Sequence, residues 1–197
     1  MPNRKLEELR RILIDGTIQL IAREGLDKTF ARQLALSTDL NVNYIYRYFA
    51  DMEDLLVKTF ASLDDELALV ATTNVSLLQV EESDLELRCR AYFHAIWNFL
   101  LGNKDKCLAF MQYYYSPYFA KYSLEDHQKR FRPLVEKLQA AFREEADVWM
   151  ILNHDLTATL DFAVKVFGGE FPNDEDTAEH VFHLVYASTR QYFKEQE

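Results

Sequence analysis

Residues 29–49 have the sequence TFARQLALSTDLNVNYIYRYF, and the spacing of their apolar side chains predicts two short helices joined by a tight turn. Thr29 is placed to cap the start of the first helix. Asp39 fits the turn, because aspartate adopts left-handed backbone conformations at modest cost. Asn41 is placed to cap the second short helix, which we expect to end at Tyr48.

A longer amphipathic helix precedes this stretch. Apolar residues recur at helical spacing from Leu6 to Ile21, and Gly25 then fits a left-handed helix stop. One long helix followed by two short ones with a tight turn is the helix-turn-helix layout. In that layout the third helix lies in the major groove of DNA, which is about 12 Å wide, and the second helix crosses the DNA backbone. Residues 1–51 are therefore predicted to form a DNA-binding domain.

These residues resemble the signature of the TetR family of transcription regulators, over roughly residues 6–60. The resemblance rests on the runs TFARQLA (29–35), LN (40–41), YIYRYF (44–49) and EDLL (53–56). In that family an Ile-Ala pair is followed, twelve residues after its Ile, by the first Tyr of a Tyr-x-Tyr/His-Phe motif, and Leu34 and Tyr46 have this spacing. Asp39 stands where the family usually has Gly, and Met52 where it often has a phosphate-binding Lys.

The resemblance implies a homodimeric transcription regulator that binds a palindromic operator in double-stranded DNA, and we expect a repressor. Arg47 fits a bidentate bond to guanine and Val42 fits contact with a thymine methyl group, whereas Tyr46 and Thr29 are phosphate contacts by resemblance. The full set of candidate DNA contacts is Thr29, Arg32, Asn41, Val42, Asn43, Tyr44, Tyr46, Arg47 and Tyr48. For Tyr46 and Tyr48 the alternative is packing against the first helix.

Charge is distributed unevenly along the 197 residues. The net charge is -10, but residues 1–50 hold eight Lys/Arg against six Asp/Glu, which gives +2, and residues 51–197 hold fourteen against twenty-six, which gives -12. The acidic residues 51–197, called the body below, do not attract DNA. The mildly basic residues 1–50, called the head below, can attract it. The two cysteines lack a CxxC spacing, and no apolar run reaches ~18 residues. We expect a cytoplasmic protein with no membrane segment, metal or cofactor.

Residues 52–197 are predicted to form a larger helical domain for ligand binding and dimerisation, so the expected fold class is all-α. Apolar spacing predicts helices over 52–72, around Cys89–Leu100, Phe110–Tyr114 and Phe131–Phe142, and over 156–167 and 178–193, with a connection at 73–84. Residues 123–126 resemble a capping box, and Pro133 predicts a kink or a broken helix start. Gly168-Gly169 should end the penultimate helix. Asn173 and the acids Asp174, Glu175 and Asp176 suit the start of the last helix, where the helix dipole favours negative charge.

A surplus of aromatic residues in this body predicts a site for a small, largely apolar or aromatic effector. Tyr113, Tyr114 and Tyr115 cannot all face one core, since successive residues of a helix are rotated by about 100°. Tyrosine also carries a polar group that a plain core does not need. The predicted lining is Phe93, His94, Trp97, Phe110, Met111, Tyr113, Tyr114, Tyr118, Phe131 and Phe162. The alternative is that these side chains fill the core.

The apolar stripes at 156–167 and 178–193 are predicted to pair with their counterparts in a second chain as an isologous four-helix interface. The alternative is that both stripes cover the core of their own chain. His180 and His183 lie beside Glu179, but no clear third metal ligand accompanies them, so we interpret them as helix-face or interface residues.

Two other functions remain open at the level of sequence. The first is a helical protein that binds a small molecule without binding specific DNA, which the low number of basic residues permits. The second is a helical enzyme with its active site among Tyr113, Tyr114 and His94. No Gly-rich phosphate loop, nucleophile elbow or HExxH motif supports an enzyme.

Overall fold

The computed structural model describes residues 2–79 and 84–194, and within those ranges the chain is built from α-helices, as expected. They are α1 (Pro2–Glu24), α2 (Ala31–Thr38), α3 (Val42–Tyr48), α4 (Met52–Asn74), α5 (Leu85–Leu101), α6 (Lys104–Tyr114), α7 (Leu124–Leu138), α8 (Val148–Phe167) and α9 (Glu175–Thr189). The described ranges contain no β-strand, and an isolated antiparallel bridge joins Phe142 to Phe193. The predicted all-α fold class is confirmed.

Backbone contacts divide the chain into two compact units. The first comprises Met1–Asp65 with Asp105–His127, and the second comprises Glu66–Lys104 with Gln128–Glu197. The first unit therefore holds α1–α3, the start of α4 and nearly all of α6. The helix α4 begins at Met52, where the sequence placed the boundary between a DNA-binding domain and a ligand-binding domain, and that functional division stays a prediction.

The helix-turn-helix core forms because α1 and α2 pack closely. Leu13, Leu34 and Ile45 are fully buried, one from each of the first three helices. At Gly16 a β-carbon would collide with the Thr38 Cγ2 methyl and lie 3.1 Å from Leu34 Cδ1. The absence of a side chain on this face of α1 is what allows α2 to lie against it.

The connection from α1 to α2 differs from its predicted form in two respects. Gly25 does end α1, but with φ 98° and ψ 156°, an extended conformation essentially restricted to glycine rather than the left-handed helical one. Thr29 does not cap α2, because a single 3₁₀ turn at Leu26–Lys28 brings its hydroxyl back to donate to the Gly25 carbonyl at 3.0 Å. The cap position belongs to Phe30, whose side chain makes no capping bond.

The predicted connection at 73–84 is shorter than expected. The helix α4 continues to Asn74, and Val75–Gln79 form a 3₁₀ helix. Residues 80–83 of that connection lie outside the described residues.

The predicted capping box at 123–126 is wrong. The chain is already helical before it, with one π-helical turn at Phe119–Ser123 that continues directly into α7. Ser123 is buried inside this helix, and its hydroxyl is 2.9 Å from the Tyr113 hydroxyl, so it has no free helix end to cap. The helix also runs through Pro133, and the broken start expected there does not occur.

The last two helices have caps that differ from the predicted ones. The Asp147 carboxylate accepts from the Met150 N–H at 2.9 Å, which starts α8 eight residues before the predicted stripe. The helix ends at Gly168-Gly169 as predicted. Of the residues predicted to start α9, Asp174 is the cap, through the Thr177 N–H at 2.9 Å, and Glu175 and Asp176 lie in the first turn.

The helix α9 ends at Thr189, so Phe193 does not belong to its apolar stripe. A 3₁₀ turn follows at Arg190–Tyr192. Phe193 then stacks on Phe142, with ring centroids 4.4 Å apart. The end of the described chain is thus held by packing within the second unit rather than by continuation of the last helix.

Candidate functional site

The turn between α2 and α3 has the geometry that the sequence predicts. Asp39 adopts the left-handed conformation with φ 55° and ψ 30°, and the Leu40 N–H donates to the Ala35 carbonyl at 3.2 Å. The Asn41 side chain then accepts from the Asn43 N–H at 2.9 Å and starts α3. A left-handed residue at position 39 and a capping residue at position 41 thus connect the two helices through three residues.

One side of α3 is buried and the other is available for contact. Ile45 and the following Phe49 are buried in the head, and the Arg10 guanidinium lies 5.9 Å from the Phe49 ring. Arg47 is exposed, and within the described part of the chain it has no carboxylate partner. Tyr46 is 54% exposed. Arg47 and Tyr46 are thus exposed on a short helix whose apolar side is buried.

The nine predicted DNA contacts differ in their exposure. Those open to solvent are Arg32, Asn41, Asn43, Tyr46 and Arg47, and those that are half-buried are Val42, Tyr44 and Tyr48. Thr29 is buried. The Tyr48 hydroxyl is also buried and has no hydrogen-bond partner among the described residues, which agrees with the packing alternative for this side chain. Direct contact of any of the nine with DNA stays a prediction.

Two large apolar side chains of α2 and its cap are exposed. Phe30 is 55% exposed and Leu36 is 75% exposed. Phe30 stands in the extended cap position, before the first helical residue of α2.

In the first unit, five of the predicted effector residues lie in or beside an aromatic cluster around Phe60. The Tyr113 ring stacks on Phe60 at 4.5 Å, and Phe110 lies 5.1 Å from it. The cluster also encloses the hydrogen-bonded pair of His127 Nδ1 and Asp64 Oδ1, which are 2.7 Å apart and buried. The five residues of this unit are Phe110, Met111, Tyr113, Tyr114 and Tyr118.

The three consecutive tyrosines separate as the helical rotation requires. Tyr113 is buried, Tyr114 is half-buried and Tyr115 is 68% exposed. Burial raises the pKa of the Tyr113 hydroxyl, although its hydrogen bond to Ser123 lowers that pKa. Tyr113 therefore stays a neutral hydrogen-bonding group inside the cluster.

In the second unit, α5 and α9 are joined by a charge network that the sequence analysis missed. Arg90 forms ion pairs with Glu179 and, at 2.8 Å, with Glu86, while its guanidinium lies 4.4 Å from the centroid of the Phe182 ring. His94 Nε2 is 2.7 Å from the other Glu179 oxygen. Burial and the neighbouring Arg90 lower the pKa of His94, so the imidazole is held neutral.

The remaining predicted effector residues of the second unit are Phe93, His94, Trp97, Phe131 and Phe162. Phe93 and Trp97 are buried and stack with ring centroids 5.7 Å apart, and Phe93 lies 5.6 Å from Phe182. In the charge network between α5 and α9, only the pair of Glu86 and Arg90 has a spacing, four residues, that predicts an ion pair from the sequence.

Glu179 is thus occupied by Arg90 and His94, while His180 and His183 are exposed. Across residues 2–79 and 84–194 no group of three or more His, Cys, Asp or Glu side chains is placed to hold a metal ion.

Asp155 of α8 is a half-buried carboxyl that the sequence did not single out. Both of its oxygens accept from the Thr189 hydroxyl, at 2.8 and 2.9 Å. Burial raises its pKa to about 7, although the bond to Thr189 lowers it. Burial and then the nearby Asp155 charge also raise the pKa of the Tyr92 hydroxyl. The second unit therefore contains an acid that titrates near neutral pH.

The predicted dimer stripes are partly used within their own chain. Leu160, Ala163, Val181 and Phe182 are buried in the described second unit, which is the alternative stated above for these residues. The opposite side of α9 is exposed, and Leu184 is 59% accessible there. A helical apolar stripe has the same period whether it covers a core or an interface, so the sequence could not separate the two.

Comparison with known proteins agrees with this geometry. Residues 13–59 match the family described as bacterial regulatory proteins, tetR family. A TetR family transcription regulator from Marinobacter aquaeolei VT8 has a TM-score of 0.78 at 16% identity, covering 99% of this chain and 100% of that one. A putative TetR family transcriptional regulator from Vibrio parahaemolyticus has a TM-score of 0.68 at 22% identity, covering 95% and 100%. The chain matches no curated protein sequence.

A third structure with the same fold is the fatty acid degradation regulator FadR from Bacillus halodurans, with a TM-score of 0.68 at 16% identity, covering 92% of this chain and 96% of that one. A helix-turn-helix followed by a helical body is the fold that this chain shares with solved TetR family transcription regulators. Within that fold, residues 13–59 carry the similarity to the tetR family of bacterial regulatory proteins. No helix among the described residues is long and apolar enough to cross a membrane.

Proposed function

We propose that this protein is a transcriptional repressor that leaves its operator when a small, largely apolar or aromatic effector binds. The observation that supports this most directly is the geometry of residues 29–49. A left-handed Asp39, an Asn41 cap and a buried Ile45 hold α3 with Arg47 exposed and without an intramolecular partner among the described residues. An unpaired guanidinium on such a helix is suited to the major groove.

Each predicted contact has a separate role in this proposal. Arg47 reads guanine through two parallel hydrogen bonds, Asn43 reads adenine, and Val42 meets a thymine methyl group. Arg32, Asn41, Tyr44 and Tyr46 position the head on phosphates. Thr29 and the Tyr48 hydroxyl are buried, so we assign them to packing of the head instead.

The protein acts on DNA as a homodimer in this proposal. One head makes few contacts, and two heads that bind half-sites about one DNA turn apart, roughly 34–36 Å, combine their affinities on a palindromic operator. The helices α8 and α9 supply the interface, through the side of α9 that carries the exposed Leu184 rather than through the buried stripe.

The effector binds in the helical body, where the aromatic groups around Phe60 and around Phe93 are found. Tyr114 and His94 are half-buried and offer a hydroxyl and a neutral imidazole beside these rings. The effector releases DNA only if it binds more tightly to a conformation with low DNA affinity, and by linkage DNA must then weaken effector binding by the same factor.

A helical small-molecule-binding protein without specific DNA binding is the second candidate. One observation favours it, because Arg32 and Arg47 are the only cations in residues 29–49. Sequence-independent affinity for DNA comes almost entirely from contacts between cationic side chains and phosphates. With two cations in residues 29–49, this affinity is expected to be low.

Selection of bound duplexes from a random-sequence DNA library separates the two candidates. The repressor proposal predicts enrichment of a palindromic sequence by the wild-type chain and loss of that enrichment with Arg47→Ala. Arg23→Ala is the matched control, because Arg23 is an exposed arginine near the end of α1 that pairs with its neighbour Glu24. Recovery of unrelated sequences by the wild-type chain would favour the second candidate.

A further inference from the structure

The first unit contains a polar bridge between α6 and the end of α1. The side chain of Gln112 donates through Nε2 to the Ile21 carbonyl at 3.1 Å and accepts through Oε1 from the Leu26 N–H at 3.0 Å. The two partners are 91 and 86 positions away in the sequence. One amide thus contacts the main chain on both sides of Gly25.

This position controls the path of the chain into the helix-turn-helix. The Ile21 carbonyl also accepts from the Gly25 N–H at 2.9 Å, so Gln112 adds a second hydrogen bond to that oxygen while it supplies the acceptor for the Leu26 N–H. Gly25, between the two bonds, has a backbone conformation open essentially to glycine alone. Gln112 therefore holds the point at which α1 ends and the chain turns towards α2.

The helix α6 is itself fixed against the start of α4. Phe110 and Tyr113, which flank Gln112 in sequence, pack on Phe60 of α4. Beyond α6, the Tyr122 hydroxyl donates to Glu53 at 2.6 Å. Because aromatic packing holds α6 against α4, the two hydrogen bonds of Gln112 fix the end of α1 relative to α6.

We propose that Gln112 is a positioning residue for DNA binding, which fixes the orientation of the head relative to α6 and therefore the direction in which α3 meets DNA. This inference rests on the proposed function, because orientation matters only where two heads must bind one operator together. It assigns Gln112 no contact with DNA.

The proposal requires different effects on paired and single half-sites. In Gln112→Leu the head keeps its own contacts, so affinity for a duplex with one half-site stays within twofold of wild type. Affinity for the paired operator falls about tenfold, the order expected for the loss of one to two net hydrogen bonds. Gln112→Glu keeps an acceptor for Leu26 but places a carboxylate oxygen against the Ile21 carbonyl, so it also lowers affinity for the paired operator and not for the single half-site.

Asn103→Leu is the matched control, because the Asn103 amide lies in the turn after α5 and donates at 2.8 Å to the Phe99 carbonyl only four positions earlier, with no bond to the end of α1. Its affinities for both duplexes stay at the wild-type level. Equal losses by Gln112→Leu on the single and paired half-sites, or no loss on either, would overturn the proposal. If Gln112→Leu does not fold, Gln112→Glu is compared with Asn103→Leu on the same two duplexes.

A second measurement tests the bridge without DNA. The Leu26 amide is held by Gln112, so its hydrogen exchange should be at least tenfold faster in Gln112→Leu than in wild type, with amides inside α1 unchanged. Unchanged exchange at Leu26 overturns the bridge. Absence of any DNA binding by the wild-type chain would instead refute the proposed function, and the exchange result would still decide the role of Gln112 at this junction.

Discussion

At the scale of single residues, the structure separates side chains that the sequence could only group. Arg47 and Tyr48 are neighbours on α3, yet one is exposed without a partner among the described residues and the other has its hydroxyl buried. Asp155 and Asp161 share α8, yet the first accepts a hydrogen bond from Thr189 of α9 and the second pairs with Lys165 at the surface. In both cases the difference depends on the rotation of one helix against its neighbours.

Asp155 supplies a prediction about pH and stability. Its folded pKa of about 7 lies above the ordinary value of 3.8, so the folded chain binds more protons than the unfolded chain between these values. Stability from this group is therefore present below pH ~4 and is lost as pH rises to about 7. Between pH 5 and pH 7.5, wild type should lose on the order of 2 kcal/mol more unfolding free energy than Asp155→Asn.

Urea unfolding at the two pH values measures this difference, and Asp161→Asn is the control because Asp161 lies on the same helix at the surface. The control should follow the pH dependence of wild type. Parallel curves for wild type and Asp155→Asn would show that the carboxyl of Asp155 is ionised at no cost in the folded chain.

At the scale of elements, the helix-turn-helix was predictable because its signals are local. The bond at the turn joins Leu40 to Ala35 and the bond at the cap joins Asn43 to Asn41, so neither spans more than five positions. The capping box at 123–126 failed because Ser123 is satisfied by Tyr113, ten positions earlier, and lies inside a continuous helix. The cap at Thr29 failed because the Thr29 hydroxyl donates to the Gly25 carbonyl instead.

The contact between α1 and α2 gives a prediction for the head alone. Gly16→Ala places a methyl group against Thr38 and Leu34, and overpacking of this kind costs about 1–3 kcal/mol. Gly168→Ala is the matched control, since a β-carbon there meets only ordinary contacts at 3.5 and 3.6 Å. Denaturant unfolding should show the loss for Gly16→Ala only, and equal stabilities of the two variants would mean that α1 and α2 do not approach as described.

At the scale of the whole molecule, the fold class was predictable and the long-range contacts were not. The helical periods and scarcity of Gly and Pro predicted helices from end to end. The pairing of Glu179 with Arg90 and His94, and of Asp155 with Thr189, joins positions 34 to about 90 residues apart. No spacing rule connects such positions, because they meet only after the helices have packed.

Assembly provides a prediction at this scale. Two chains of 23.2 kDa should give a mass of about 46 kDa (2 × 23.2) by light scattering at micromolar concentration. Leu184→Glu should reduce this mass to that of one chain, because it would bury an unpaired charge in the proposed α9 interface. Leu69→Glu, at an equally exposed leucine of α4, is the control and should stay dimeric. A monomeric wild type would refute both the interface and the two-head model.

Binding of Arg47→Ala to matched and scrambled operators, measured by fluorescence anisotropy across a salt series, tests the central claim most directly. The account predicts a loss of about 1–3 kcal/mol per half-site on the matched operator, relaxed preference at one base position and little change on the scrambled one. An equal loss on both duplexes would make Arg47 a phosphate contact and move base recognition to Asn43 and Val42. No change on either duplex would contradict the docking of residues 29–49 on DNA, and with it the assignment of this chain as a DNA-binding repressor.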